Sequence, residues 1–135
     1  MLILKAYIEN AGSDVLADWY ATHPGNRWTK LWARYYTIWF HLRQQPVSGW
    51  TGPYFHFLTG KGGIGRIGFD FNKIAYRHLG FFGPGAQDFT ILYTAEEHDD
   101  VYLPKGCIDK AVERMKSVKA NPSLVRVATI QVPPK

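Results

Sequence analysis

The chain has 135 residues, of which 46% are hydrophobic, 16% aromatic and 20% charged, with a formal net charge of +5. That length suits one domain that buries about two-thirds of its unfolded surface, and the ordinary apolar and charged content argues against a disordered chain. The basic balance, with a pI near 9.4, favours an acidic partner such as nucleic acid.

Residues 2–9 alternate in polarity and predict a strand with Leu2, Leu4, Ala6 and Ile8 on one face. Lys5 interrupts this apolar start, so no signal peptide is expected. No run approaches the roughly 20 apolar residues of a membrane span, and no membrane partner is expected. Gly12 and Ser13 break the strand, and Ser13 is suited to cap a short helix from Asp14 to about Ala21. His23-Pro24-Gly25 predicts a turn, and Asn26 a cap for a second helix over about 27–44, stopping before Pro46. In that helix Trp28, Leu31, Trp32, Tyr35, Ile38, Trp39 and Leu42 form an apolar stripe suited to the core. Arg27, Lys30, Arg34 and His41 lie on another face, which is either solvated or a binding surface.

Residues 46–63 are rich in glycine and proline and predict a long loop with a short strand at Tyr54–Leu58. From Ile64 the period becomes two. Ile64–Phe71, Lys73–Phe82 and Asp88–Ala95 predict three consecutive strands, and connections this short force antiparallel neighbours. Ile67, Phe69 and Phe71 share one face of the first strand, and Arg66, Gly68 and Asp70 the other. In the second, Arg77 shares a face with Ala75, Leu79 and Phe81, opposite Tyr76 and His78. An arginine on an apolar strand face must find an anion or a carboxylate. Residues 96–100, Glu-Glu-His-Asp-Asp, predict an acidic loop. Pro104 is expected to open a last helix with Ile108, Ala111, Val112 and Met115 buried, and Asn121-Pro122 to end it. Residues 124–132 alternate and predict a final strand. Cys107 is the lone cysteine, so no internal disulfide is possible, and a reducing, cytoplasmic setting is expected.

Gly60-Lys61-Gly62-Gly63-Ile64-Gly65 matches the spacing of a dinucleotide-binding turn, but that turn must open a helix and here a strand follows. The five histidines show no metal-ligand spacing. Neither a metal nor a cofactor is therefore expected. The glycines instead suit a loop that lies close to another backbone or to a phosphate, with Lys61 as a cation nearby.

Three stretches and a helix pattern carry a resemblance. Gly63-Ile64-Gly65-Arg66-Ile67-Gly68-Phe69 looks like a strand that usually reads Gly-apolar-x-Glu-Leu-Arg-Phe. Tyr76-Arg77-His78-Leu79-Gly80-Phe81-Phe82 looks like a Tyr-Arg-apolar-apolar-aromatic strand, and Thr90–Ala95 takes the place of a following apolar strand. Pro104, Ile108, Ala111 and Arg114 match a Pro-x-x-x-Ile-x-x-Ala-x-x-Arg helix. Over about two-fifths of the chain this resembles the RelE/HigB group of toxins from toxin–antitoxin pairs, in particular its phage-derived branch.

The resemblance implies a single α+β domain over 1–135, with an N-terminal strand, two helices, an antiparallel meander and a closing helix. It implies an RNA-directed toxin-like protein, in its active form a metal-independent endoribonuclease acting on mRNA in the ribosome and neutralised by a small antitoxin encoded nearby. Arg77 stands at the family's basic position. Arg66 and Tyr93 are the further catalytic candidates, and Lys61, Lys105, Lys30 and Arg34 the RNA-binding ones. Gly68 replaces a family arginine, and Glu97 and His98 replace a basic pair. A non-catalytic RNA- or protein-binding module on the same fold, and an aromatic-lined small-molecule enzyme, stay open as alternatives.

Overall fold

A computed structural model describes residues 2–10, 12–50 and 52–128. The elements are β1 (Ile3–Asn10), β2 (Ser13–Asp14), α1 (Val15–Ala21), α2 (Thr29–Leu42) and β3 (Phe55–Phe57). They continue with β4 (Gly65–Phe71), β5 (Ile74–Phe82), β6 (Asp88–His98), β7 (Val101–Leu103), α3 (Cys107–Ala120) and β8 (Val125–Val127). The described strands form one mixed sheet in the order β2-β1-β6-β5-β4-β3, with β7 also beside β6 and β8 beside β1. The fold is α+β, with helices on both faces of the sheet.

The meander expected from 64 to 95 is present. β4, β5 and β6 pair antiparallel in sequence order, with Arg66 opposite Leu79 opposite Tyr93, and Gly68 opposite Arg77 opposite Ala95. The sheet as a whole is not purely antiparallel. β1 joins β6 in parallel, Ile3 beside Asp88 and Ala6 beside Ile91. That pairing needs a long crossover, and α1, α2 and β3–β5 supply it.

Alternation along the strands separates two cores. On one face α1 and α2 bring Leu16, Trp19, Leu31, Tyr35, Ile38 and Trp39 onto Ile67, Phe69, Tyr76, Phe89 and Ile91. The stripe read from α2 accounts for its buried residues Leu31, Tyr35, Ile38, Trp39 and Leu42. On the other face α3 lays Cys107, Ala111, Met115 and Val118 over Ile64, Leu79, Phe81, Leu92 and Ala95. Tyr93 and Ile91 pair with adjacent β5 residues, so Leu92 is an extra, bulged residue. It joins the α3 core while Ile91 joins the other. Gly80 sits at this bulge because a Cβ there would run into the Thr90 carbonyl.

Several boundaries differ from those read in the sequence. Asp14, not Ser13, caps α1: its carboxylate accepts from the backbone N–H groups of Leu16 and Ala17 at 3.0 and 2.8 Å. Asn26 opens a single 3-10 turn, and α2 begins at Thr29 without a side-chain cap. Residues 96–100 are not a loop. β6 continues to His98, and Asp99 and Asp100, with φ of 50° and 64°, make a tight turn into β7. Short polar side chains tolerate that left-handed conformation, and such turns favour hairpins. Leu103 therefore ends a strand, and α3 starts at Cys107 rather than at Pro104, whose carbonyl accepts the Cys107 N–H at 3.1 Å. β8 covers 125–127 of the predicted final strand, and residues 129–132 of that reading lie outside the described residues.

Arg114 closes a gap in the sheet. Past Ile91 the β1 pairing ends, and β7 does not begin to pair until Glu96. Arg114 donates to the Leu92 carbonyl at 2.8 Å and to Glu9 at 2.7 Å, with its guanidinium 4.8 Å from the Tyr7 ring and 5.1 Å from the Tyr93 ring. The buried cation is thus hydrogen-bonded and ion-paired, which such burial requires.

Candidate functional site

α3 covers only part of its sheet face. At the end nearer the Asn72-Lys73 and Asp99-Asp100 turns, the same alternation places charged and polar residues where the helix does not reach. β4 contributes Arg66, Gly68 and Asp70, β5 contributes Arg77, β6 contributes Glu97 and β7 contributes Tyr102, which stands opposite Glu97. His56 on the edge strand β3 stands opposite Arg66 and is exposed.

Arg77 is bound into the sheet. Its Nε donates to Glu97 Oε1 at 2.8 Å, its Nη1 donates to the Tyr76 carbonyl at 2.9 Å, and Asp70 is 3.7 Å away. Its side chain is 15% exposed. Arg66 is less committed: its Nη1 donates to the Pro53 carbonyl at 3.3 Å, and no carboxylate of the described residues forms an ion pair with it. Burial pulls the Arg66 pKa down, the charge of Arg77 pulls it further, and the Tyr102 hydroxyl and Glu97 beside it pull it back up. Burial likewise raises the Tyr102 phenol, against the pull of the Arg66 guanidinium.

Gly68 makes this arrangement possible. A Cβ at that position would collide with Nη1 of Arg66 and would lie 3.0 Å from Nη1 of Arg77. The two guanidiniums therefore meet over a glycine. Glu97 and Asp70 both pair with Arg77, so of the two converging guanidiniums Arg66 is the one without an ion pair among the described residues and the one placed to meet an incoming anion. Gly68→Ala is expected to shift the Arg66 guanidinium, a flexible side-chain end, and so weaken polyanion binding by about tenfold, a loss of roughly 1.4 kcal/mol. Its melting temperature should stay within a few degrees, because only a side-chain terminus must move. Fluorescence anisotropy with single-stranded RNA and thermal denaturation check both halves. Unchanged binding would show that the Arg66 position does not matter.

The seven residues singled out in the sequence fall into four groups. Arg66 and Arg77 come together as described. Lys61 and Lys105 line a neighbouring cleft of about 690 Å³ between the β3–β4 loop and the start of α3. Tyr102 links the two places, lining the cleft and standing beside Arg66. Tyr93 does not join the arginine pair. It lies against the Arg114 guanidinium at the gap in the sheet, because the register puts it beside Leu79 rather than Arg77. Lys30 and Arg34 are exposed on α2, which packs on the opposite face, so they cannot share a site with Arg66.

Tyr102 and His56 were missed in the sequence. β7 was hidden by reading 96–100 as a loop, since Asp99-Asp100 lacks the glycine that usually marks a two-residue hairpin turn. His56 lay in the short strand expected at 54–58, and only pairing with β4 puts it opposite Arg66. The remaining histidines have other surroundings: His78 is buried against Tyr35, and His98 lies 3.5 Å from Glu96 at the surface. Among the described residues, no group of three or more His, Cys, Asp or Glu is placed to hold a metal ion. None of their helices is long and apolar enough to cross a membrane. Comparison of the chain with family models, curated proteins and solved structures finds no match in any of the three.

Proposed function

We propose that the Arg66–Arg77 surface binds an RNA phosphodiester and that the chain is an RNA-directed domain of the RelE/HigB kind. The observation that carries this reading is the convergence of two guanidiniums over Gly68 beside the Tyr102 hydroxyl. Forked donors are suited to phosphate oxygens, and a partly desolvated pair binds an anion more strongly than a solvated one. The order of elements supports the resemblance: a strand, two helices, an antiparallel meander and a closing helix.

Cleavage on this surface would follow RNA's own chemistry. The 2′-hydroxyl gives up its proton as its oxygen bonds to the adjacent phosphorus. The P–O5′ bond breaks, and the departing oxygen takes a proton, leaving a 2′,3′-cyclic phosphate and a 5′-hydroxyl. Arg66 and Arg77 would hold the charge on the pentacoordinate phosphorus. His56, opposite Arg66, is the side chain suited to proton transfer. Such a reaction needs no metal. The implied partners are mRNA in the ribosome and a small antitoxin.

The close Arg77–Glu97 pair favours a second reading, a module that binds RNA without cutting it, since Glu97 already neutralises one guanidinium. Incubation with single-stranded RNA, alone and on translating ribosomes with chelator present, separates the two. Fragments ending in 2′,3′-cyclic phosphate are expected for the nuclease. Binding without fragments supports the module, and neither binding nor fragments sinks both.

A further inference from the structure

The cleft of about 690 Å³ beside Tyr102 is not used by the phosphate chemistry above. Its volume falls in the range of small-molecule sites, roughly 300–1,000 Å³. Leu58, Cys107 and Ile108 give it an apolar floor, and they pack against the α3 core or belong to it. Lys61 and Lys105 supply cations, and Asp100 and Asp109 supply carboxylates. None of these four charged residues forms an ion pair among the described residues.

We infer that this cleft is a nucleotide subsite that takes the base next to the phosphate held at Arg66, with a preference for guanine. The inference rests on the reading of Arg66 as a phosphate ligand, and Tyr102, common to both places, supplies the continuity. The apolar floor accepts the flat face of a base. Lys61 and Lys105 meet the phosphate attached to that nucleoside. Guanine presents two adjacent N–H donors on its pairing edge, matching the two acceptor oxygens of one carboxylate. Uracil presents one donor between two carbonyls, and those carbonyls face a carboxylate unfavourably. The two aspartates, which otherwise would only repel an anionic ligand, thereby become the source of discrimination.

The test uses the full chain with methyl-labelled leucine and isoleucine, titrated with guanosine 5′-monophosphate and uridine 5′-monophosphate. The guanine nucleotide should shift the Leu58 and Ile108 methyl signals, with at least fivefold tighter binding than the uracil nucleotide. Lys61→Glu with Lys105→Glu should weaken binding at least tenfold, and both are surface changes that leave the core alone. Asp100→Asn with Asp109→Asn should erase the preference for guanine. Unmoved Leu58 and Ile108 signals at millimolar nucleotide, or unchanged binding in the lysine variant, would overturn the inference. Nucleotide binding that retains its guanine preference in the asparagine variant would remove the assigned discrimination. RNA binding by the wild type that depends on Arg66, with silent Leu58 and Ile108 signals, would sink the subsite alone. Guanine nucleotide in the cleft, with no RNA bound or cut, would sink the RNA reading and with it the subsite as part of an RNA path, leaving a site for a free guanine nucleotide.

Discussion

Arg66→Ala should lower RNA cleavage by about 10²–10³-fold while leaving the melting temperature within a few degrees. The magnitude is that of one preorganised donor removed from a developing negative charge. The small stability effect follows from its contacts, one 3.3 Å bond to the Pro53 carbonyl and the neighbouring Tyr102. Arg77→Ala should behave differently. It leaves the part-buried Glu97 carboxylate without its 2.8 Å partner, so a stability loss of roughly 1–3 kcal/mol should accompany any loss of activity. Arg66→Lys should restore part of the rate at most, since an ammonium cannot reproduce the planar fork. Single-turnover cleavage of a labelled RNA, with denaturant titration of each variant, reads both effects. Full cleavage by a folded Arg66→Ala protein would exclude this surface from the chemistry. If no cleavage is found in the wild type, RNA affinity replaces the rate, with a loss on the order of 1–3 kcal/mol expected.

The second large effect is acid sensitivity seated in the core. His78 is fully buried, with Nδ1 2.9 Å from the Tyr35 hydroxyl and the Trp19 ring centroid 4.6 Å away. Its Nε2 has no hydrogen-bond partner among the described residues. Burial, with a smaller contribution from His23, pushes its pKa down to about 3. In the unfolded chain an imidazole titrates near about 6.5, so between these values the unfolded state binds the extra proton. The neutral His78 core is therefore fully stable above about pH 6.5 and loses stability as the pH falls toward 3. The slope should approach about 1.4 kcal/mol per pH unit, or roughly 3 kcal/mol between pH 7 and pH 4. Against a typical total of about 5–15 kcal/mol that is a large share. Urea titrations from pH 7 to pH 5 isolate it, because carboxylate pairs are lost mainly at lower pH. His78→Leu should flatten the slope in that window, and a flat slope in the wild type would mean that His78 is not held neutral.

The β5 pattern also shows why the fold was more legible than the site. Period two with short turns determined the β4–β5–β6 meander and assigned Arg77 and His78 to opposite faces, because successive side chains on a strand must alternate. The aromatic stripe of α2 determined its buried face by the same kind of local geometry. The helix caps were less legible, since Ser13 and Asp14 are both suitable caps and only the backbone conformation chooses between them.

Tertiary structure alone decided the rest. β1 lies parallel to β6 because of a crossover whose landing place no local pattern records. Tyr93 has the residue type and strand position of a catalytic phenol, but the register sets it against Arg114, while Tyr102 takes the place beside Arg66. Lys30 and Arg34 form a basic face as read, on a helix packed against the wrong side of the sheet. Gly68 looks in the sequence like the loss of a charge, yet its missing Cβ is what lets two arginines from neighbouring strands meet. Periodicity determines which way a side chain leaves its own strand; pairing between distant segments determines what it meets there, and the candidate site consists almost wholly of such meetings.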